Sequence, residues 1–400
     1  MSSKKMILLG GSSQQVIAIE TAKRLGLYTI LCDYLPDNPG QFYADKFYQI
    51  STTDKEAVLK IAQDEEISYI IAYASDPAAP TAAYVAEKMG LPTNPYKAVE
   101  ILCNKDLFRS FLSSHGFNTP RANGYRTKED ALSKIKDYTL PIIIKPVDSS
   151  GSKGATVIRE ESETDKAIDF AFSFSRGHRI IIEEYIEKKH PYLIGGDIFV
   201  SEGKVIQWGL MNCHRDATVN PLVPVGKSYP PILSIQDLNK VKKTLQKLVS
   251  DLGIQFGPMN VELIIDRHDR VFPIDIGPRS GGNMIPDLLG LIFQCDVVEM
   301  SVRAAMGISI NNKAGEGIPY YATLNLHSHK QGIFKGIEYS TEIENYIIKE
   351  KIYKKPGDKV NFFANAADAL GIIFFKFPDQ ETMIKMEEEM NNNIRVKFAG

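Results

Sequence analysis

The stretch LPIIIKPVDSSGSKG, residues 140–154, ends an apolar run in Lys145 and continues into a loop of glycines, serines and a second lysine. A lysine at the end of a buried strand needs an anionic partner, because an unpaired charge is costly in a partly dry setting. Glycine lets the backbone approach an anion, and serine hydroxyls and backbone N–H groups add donors. The stretch therefore has the chemistry of a phosphate-binding loop, although it is not a Walker A motif because GxxxxGK[ST] does not match. A surface loop with an incidental lysine is the alternative.

Two further stretches come after it in the chain. RIIIEEYIE, residues 179–187, runs an apolar strand into two adjacent carboxylates, Glu183 and Glu184. The edge of such a strand can offer backbone groups to a purine while a carboxylate accepts from the purine amino group, so the stretch is a candidate hinge between two lobes. A strand end with solvated acids is the alternative.

The last stretch carries two carboxylates and an arginine. Strand alternation places Asn260 and Glu262 on one face, and a hairpin around residues 266–269 would bring Asp275 opposite Glu262. Facing carboxylates need a cation between them, and oxygen ligands favour Mg²⁺ or Mn²⁺. Arg279 lies just beyond in a glycine-rich loop, where a guanidinium can hold an anion bidentately. An exposed hairpin with scattered charges is the alternative.

Composition excludes several classes of protein. The 400 residues carry 47 basic and 49 acidic side chains, a net charge of -2, so nucleic acid is not an expected partner. No apolar run approaches the roughly 20 residues of a membrane span, and the run from Met6 to Leu9 is too short for a signal peptide core. The four cysteines are widely spaced, which favours a reducing cytoplasm.

The order of predicted elements divides the chain into three. Strands and helices alternate through the first ninety or so residues, which predicts a parallel sheet. Its first turn, Gly10 to Ser13, lacks GxGxxG, so we favour a tight strand-to-helix turn over a dinucleotide site. Two prolines in LPTNP, residues 91–95, indicate a boundary. The predicted domains are 1–94, 95–310 with a mixed α+β pattern, and a small C-terminal domain at 311–400.

Taken in this order, the stretches resemble the ATP-grasp superfamily over about residues 95–307, and residues 1–94 resemble the Rossmann-like sheet domain that precedes it in the family. The ATP-grasp parts of the carbamoyl phosphate synthetase large chain and of biotin carboxylase are similar. The resemblance implies ATP and Mg²⁺ (or Mn²⁺) as cofactors. The nucleotide residues that it implies are Lys105, Lys145, Ser150, Gly151, Ser152, Gly154, Glu183, Glu184, Tyr185, Ile186 and His190.

The same resemblance implies a role for each group. Lys105 and Lys145 would hold phosphates, the loop at 149–154 would close over them, residues 183–186 would read adenine, and His190 would contact the ribose. Glu262 and Asp275 would bind the metal, and Arg279 and Lys153 would be catalytic. One departure stands out: the family's Glu-x-Asn-Pro-Arg is DIGPR here, with Gly277 in place of the asparagine ligand. Water, Asn260 or Asn283 could complete the coordination, and decayed catalysis is the alternative.

The implied function is an ATP-dependent carboxylate–amine ligase that forms an amide through an acyl phosphate and releases ADP and phosphate. Its partners would be a small carboxylate and an amine, with no nucleic acid or membrane; a homodimer is one option for the oligomeric state. A bicarbonate-dependent, carboxyphosphate-forming enzyme and a non-catalytic nucleotide-binding regulator are the alternatives.

Three polar residues outside these stretches have simpler interpretations. Arg215 could reach phosphates, but a charged turn is the favoured interpretation. His327 and His329 alternate on a predicted strand and, without a third ligand, are interpreted as surface residues rather than metal ligands.

Overall fold

The N-terminal region folds as a parallel sheet covered by helices. The computed structural model describes residues 4–149, 151–311 and 315–399. Here the strands lie in the order β3-β2-β1-β4, all parallel. The apolar run of β1 is buried on both faces, as in other parallel sheets. The elements are β1 (Lys5–Leu9), α1 (Val16–Arg24), β2 (Tyr28–Asp33), β3 (Lys46–Gln49), α2 (Lys55–Asp64), β4 (Tyr69–Ile71) and α3 (Ala79–Met89).

A small antiparallel sheet comes after two short helices. Its order is β5-β8-β6-β7, so the stretch that ends in Lys145 lies beside the one that ends in Glu184. Alternate isoleucines of these two central strands, Ile142, Ile144, Ile180 and Ile182, pack with α7 into a separate apolar core. The elements are α4 (Tyr96–Cys103), α5 (Lys105–Ser114), β5 (Ala122–Tyr125), α6 (Lys128–Ser133), β6 (Ile142–Pro146), β7 (Thr156–Ile158), α7 (Thr164–Ser173) and β8 (Ile180–Glu184).

The next region builds most of an eight-stranded antiparallel sheet. Helix α8 shows a helical spacing of buried residues, Val241, Leu245, Leu248 and Val249, and packs this face on the sheet. The elements are β9 (Leu193–Ser201), β10 (Lys204–Arg215), β11 (Pro224–Tyr229), α8 (Ile235–Asp251), β12 (Phe256–Ile265), β13 (Val271–Gly277), α9 (Ile285–Phe293) and α10 (Val297–Ala305).

The C-terminal region completes this sheet and adds a second one. The full order is β13-β12-β9-β10-β11-β14-β18-β16, and a three-stranded sheet has the order β17-β15-β19. The elements are β14 (Tyr321–Leu326), β15 (Gly332–Tyr339), α11 (Thr341–Glu344), β16 (Ile347–Ile352), β17 (Lys359–Val360), β18 (Gly371–Lys376), α12 (Gln380–Glu388), α13 (Met390–Asn393) and β19 (Ile394–Phe398).

The predicted mixture of α/β and α+β architecture is confirmed. The pairing of β11 with β14 carries the large sheet across the predicted boundary at residue 310, so the C-terminal region shares a sheet with the preceding one. The division into 1–94, 95–310 and 311–400 stays a prediction. Among the described helices, none combines the length and apolar character needed to cross a bilayer.

Candidate active site

Two adjoining cavities contain most of the predicted site residues. The inner cavity, of about 200 Å³, lies between the small antiparallel sheet and the strands β9, β12 and β13. The outer cavity, of about 410 Å³, lies between these strands and the N-terminal region. Both are lined by Gly151, Ser152, Arg215, Glu262 and Asp275. The predicted residues that line only the inner cavity are Lys105, Lys145, Lys153, Tyr185 and Ile186.

The ammonium group of Lys145 forms an ion pair with the buried carboxylate of Glu183. Its ammonium group lies at the end of β6 and donates to Glu183 Oε1. Glu183 Oε2 accepts from Arg109 Nε at 2.9 Å. Burial lowers the pKa of Lys145, and the neighbouring Arg109 and Lys105 lower it further, while Glu183 opposes them. The pKa of Glu183 falls because Arg109 and Lys145 outweigh the opposing effect of burial.

This arrangement disagrees with the adenine contact expected of Glu183. The carboxylate is 2% exposed, both of its oxygens are engaged, and it is not part of the inner cavity's lining. Glu184, the next residue, is half-buried and likewise lies outside that lining. Tyr185 and Ile186 do line the cavity, so the hinge residues that face it begin two positions later than the first acid.

Arg109 is a residue that sequence reasoning missed. Besides Glu183, it donates from Nη2 to the carbonyl of Ile274 at 2.7 Å and from Nη1 to that of Pro273 at 3.3 Å. These carbonyls directly precede Asp275 on β13. Arg109 therefore connects Lys145 in one sheet to the strand that carries Asp275 in the other. Its position within an amphipathic helix, α5, gave no signal of this role.

Lys105 and several residues of the glycine-rich loop line the inner cavity. Lys105 Nζ donates to the carbonyl of Ser149 at 2.8 Å, where the loop begins. Ser152 Oγ donates to the carbonyl of Leu222 at 2.8 Å, so the loop also touches the connection between β10 and β11. Gly154 has φ +74°, and a Cβ there would lie 2.8 Å from atoms of Pro146 and Phe174. Ser150 lies outside the described residues.

His190 hydrogen-bonds backbone groups through both of its ring nitrogens. Its Nδ1 donates to the carbonyl of Tyr192, and its Nε2 accepts from the backbone N–H of Ile265 at 3.0 Å. Both ring nitrogens are thus used by the backbone, the side chain is outside the inner cavity's lining, and burial lowers the histidine's pKa. The expected ribose role stays a prediction that these contacts do not support, because the ring joins Tyr192 to Ile265 through backbone groups. Lys188 lines the cavity in its neighbourhood.

The carboxylate hairpin has the predicted register. Glu262 on β12 is paired with Asp275 on β13, and both side chains line both cavities. Arg215 Nη2 donates to Glu262 Oε1 at 3.0 Å, so Arg215 belongs to the site and is not simply part of a charged turn. Burial alone would raise the pKa of Asp275, but the charges of Lys105 and Lys145 lower it overall.

The ion pair between Arg279 and Asp76 accounts for the glycine at position 277. Its guanidinium makes a two-pronged contact with Asp76 of the N-terminal region, with Nε 2.7 Å from Oδ1. A Cβ at position 277 would lie 2.5 Å from that same Oδ1 and 3.2 Å from Arg279 Cζ. The space that an asparagine would need is thus filled by the Arg279–Asp76 pair. Asn260, which lies opposite Gly277, instead donates to Asp197 Oδ1 at 2.8 Å.

The N-terminal glycine turn contributes to the outer cavity as a structural turn. Gly10 has φ +102°, and a Cβ there would lie 2.3 Å from Gln15 Nε2. Gly11 N donates to Asp33 Oδ2 at 2.7 Å. Gln15 and Asp33 hydrogen-bond backbone groups at this turn, as expected of the tight strand-to-helix turn that we favour. Ser12, Gln14 and Gln15 line the outer cavity.

Comparison with known proteins agrees with this geometry. A family model described as the carbamoyl-phosphate synthase L chain, ATP binding domain, matches residues 104–313. The formate-dependent phosphoribosylglycinamide formyltransferase of Methanocaldococcus jannaschii is 26% identical over 366 residues, which are 90% of each chain. The match therefore extends well beyond the ATP-binding region.

Solved structures give the same fold. An L-amino acid ligase from Bacillus licheniformis has a TM-score of 0.83 at 19% identity, with 100% of this chain and 99% of that chain covered. The biotin carboxylase domain of the Hydrogenobacter thermophilus 2-oxoglutarate carboxylase, in complex with MgADP and bicarbonate, has a TM-score of 0.74 at 16% identity, with 98% and 90% covered. At these identities the likeness concerns the fold.

Proposed function

Because the chain belongs to the ATP-grasp family of carbamoyl-phosphate synthase-type ATP-binding domains, and so to the ATP-dependent C–N-forming ligases, we propose that it joins a small carboxylate to an amine. The resemblance found in the sequence is confirmed for the family, the fold and the enzyme class. The roles of individual residues and the identity of the two substrates belong to the proposal.

The observation that carries the proposal is the pairing of Glu262 with Asp275 between two groups of cations. Lys105 and Lys145 line the inner cavity on one side, and Arg279 lines the outer cavity on the other. Two carboxylates side by side fit a hard divalent cation such as Mg²⁺, which prefers oxygen ligands. Bound there, the cation would neutralise charge on the phosphates of ATP.

The inner cavity suits the nucleotide. Its apolar lining from Ile143, Ile186 and Ile274 fits a flat base, and its lysines fit the phosphates. Lys153 and neighbouring residues of the glycine-rich loop line this cavity, where they would keep water from a reactive acyl phosphate. We therefore propose that the base lies among these isoleucines and that the phosphates extend toward Glu262 and Asp275.

The proposed ligation has two chemical steps. A carboxylate oxygen of the substrate attacks the terminal phosphorus of ATP, and the bond from that phosphorus to the ADP oxygen breaks. The amine then attacks the acyl carbon of the acyl phosphate, loses a proton and displaces inorganic phosphate to form the amide. Arg279 is placed to stabilise the oxyanion of this second step once it exchanges Asp76 for the substrate.

The outer cavity suggests which amines to test. Lys227, 6% exposed, lines it, and no carboxylate lies within ion-pair distance of this lysine in the described parts of the chain. Its nearest polar partner is the thiol of Cys213. An amine that carries its own carboxylate or phosphate would satisfy this buried charge. The first substrate pairs to test are formate with phosphoribosylglycinamide, which the name of the Methanocaldococcus jannaschii relative suggests, and pairs of L-amino acids, which the name of the Bacillus licheniformis ligase suggests.

The test is ADP release that depends on both a carboxylate and an amine, with amide formation followed by mass spectrometry. Arg279→Lys should lower kcat at least about 100-fold, because lysine cannot reproduce the fork that stabilises an oxyanion. Arg267→Lys, at an exposed arginine outside both cavities, is the matched control and should keep full activity. An unchanged kcat for Arg279→Lys would remove Arg279 from the mechanism.

Other outcomes decide between the alternatives. ADP release stimulated by bicarbonate in the absence of any amine would indicate the carboxyphosphate-forming enzyme. Stoichiometric ATP binding without ADP release across the panel would indicate a regulator.

A further inference from the structure

A second cluster of ligating groups lies outside the two cavities. Asp216 begins the connection between β10 and β11, and His327 and His329 come just after β14. His329 Nε2 lies 2.9 Å and His327 Nε2 lies 3.2 Å from the same oxygen, Asp216 Oδ2. Each of the three side chains offers one ligand atom, and these atoms all lie within 4.8 Å of one another. We propose that they form a site for a transition-metal ion of the Zn²⁺ type, unrelated to the Mg²⁺ proposed at Glu262 and Asp275.

The tautomer of His327 favours a metal over an ordinary hydrogen bond. Its Nδ1 lies 2.7 Å from the carbonyl of Asn325 and donates to it, because a carbonyl can only accept. In the neutral ring, Nε2 then carries a lone pair that points toward Asp216. Two lone pairs repel unless a cation lies between them. Metal-bound histidines commonly donate their other N–H to a backbone carbonyl, as His327 does.

The spacing of the ligand atoms also fits. Zinc binds histidine nitrogen and carboxylate oxygen at about 2.0–2.1 Å, so two ligands of a tetrahedron lie about 3.3 Å apart. The separations of 2.9 and 3.2 Å are close to this value. Two histidines and one carboxylate leave the fourth position to water or to another side chain.

An independent feature points to a cation in the same place. Glu387 lines the same cavity, of about 280 Å³, as Asp216 and His327. Its side chain is 6% exposed, and neither carboxylate oxygen has a hydrogen-bond partner in the described residues. His214 Nε2 lies 3.3 Å away but also contacts Ser228 Oγ at 2.8 Å. A buried carboxylate of this kind is costly without positive charge nearby, and a divalent ion in the cavity would supply it.

A metal at this site would fix the position of the segment from Asp216 to Val223, which contacts the glycine-rich loop. The connection from Asp216 to Val223 contacts that loop through Leu222 and the C-terminal region through Asn220, which donates to the carbonyl of Ala364 at 2.8 Å. A metal held by Asp216, His327 and His329 would add a third attachment, to the end of β14. Its role is therefore structural.

The test is Co²⁺ binding to the tag-free full chain, followed by visible absorption in excess Mg²⁺, which occupies carboxylate-only sites. Wild type should bind one Co²⁺, displaceable by Zn²⁺. His329→Ala should weaken binding more than about 100-fold, since losing a ligand costs more than the 10- to 100-fold loss of an outer partner. Its side chain is 43% exposed, so the variant should fold. Asp216→Asn should behave alike, and His268→Ala, at an exposed turn, should bind as wild type.

No stoichiometric Co²⁺ or Zn²⁺ binding by wild type would overturn the proposal and would identify the cluster as an ion pair of Asp216 with protonated histidine. Equal binding by His329→Ala and wild type would overturn it as well. Neither outcome depends on ligase activity, so this proposal and the proposed function fail independently.

Discussion

Replacing Glu183 by glutamine should destabilise the protein in the absence of any nucleotide. Glu183, Arg109 and Lys145 are 2%, 3% and 9% exposed, so the two cations would lose their counter-charge inside the protein. Removing one partner of a buried ion pair costs about 3–5 kcal/mol. We expect the E183Q variant to lose about 3 kcal/mol, because the amide oxygen of glutamine still accepts one hydrogen bond. This is a large part of a typical folding free energy of about 5–15 kcal/mol.

The assay is urea unfolding followed by tryptophan fluorescence. Trp208 is the chain's single tryptophan and packs against the core that contains Phe108, the neighbour of Arg109. Glu184→Gln is the matched control, since it makes the same change one position later on a half-buried residue and should stay within about 0.5 kcal/mol of wild type. If E183Q is as stable as E184Q but binds ATP more weakly, Glu183 reads adenine and the buried-pair argument is refuted.

The pH dependence gives a second check on the same residue. The pKa of Glu183 is lowered from its ordinary value of 4.5 because Arg109 and Lys145 outweigh burial. A carboxylate with a lowered folded-state pKa stabilises the protein fully above its unfolded-state pKa, and this contribution disappears as the pH falls through the folded-state value. The stability difference between wild type and E183Q should therefore be constant above about pH 5 and shrink below pH 4.5.

Three other substitutions or treatments test the packing. Gly277→Asn should disrupt the ion pair between Asp76 and Arg279, since a Cβ at position 277 would lie 2.5 Å from Asp76 Oδ1. We expect kcat, measured by ADP release, to fall by about 10-fold or more. Unchanged kinetics would show that the ion pair can shift to make room for the new side chain. Gly154→Ala should lower kcat more than Gly151→Ala. Both glycines have positive φ, but the atom nearest to an added Cβ lies at 2.8 Å at position 154 and at 3.7 Å at position 151. Equal losses of activity would indicate that backbone strain, rather than a steric clash, is the cause. Burial raises the pKa of Cys32 to about 12, so mass spectrometry should find its alkylation roughly 1,000-fold slower in the native protein than in urea at pH 8; rapid native modification would contradict its burial.

Local periodicity was enough to predict the hairpin that carries the carboxylates. Strand alternation and a short charged turn placed Glu262 opposite Asp275, and the structure has that register. Lys145 at the end of an apolar strand was found in the same way. Both features depend on residues close together in sequence, where the period of a strand and the length of a turn determine which side chains meet.

The contacts that local patterns did not predict join residues far apart in sequence. Arg109 and Glu183 are 74 residues apart, and nothing in the local pattern indicates that an acid at a strand end is paired from a helix. His190 has the residue type and spacing of a ribose ligand, yet its two nitrogens are taken by backbone groups, one of them 75 residues away. The spacing of a motif is therefore enough to identify the segments that form the site. Tertiary hydrogen bonds determine which side-chain atoms in those segments remain available to a ligand.

We propose that ligands of the two cavities bind by displacing ion pairs that are already present. Arg215 neutralises Glu262, and Arg279 neutralises Asp76 across the boundary with the N-terminal region. A divalent cation at Glu262 would release Arg215, which lines both cavities and would then be free to meet a phosphate. A substrate carboxylate at Arg279 would release Asp76 in the same way. Because Gly277 leaves room for the Arg279–Asp76 pair, the residue that departs from the family pattern is also the one that permits this exchange.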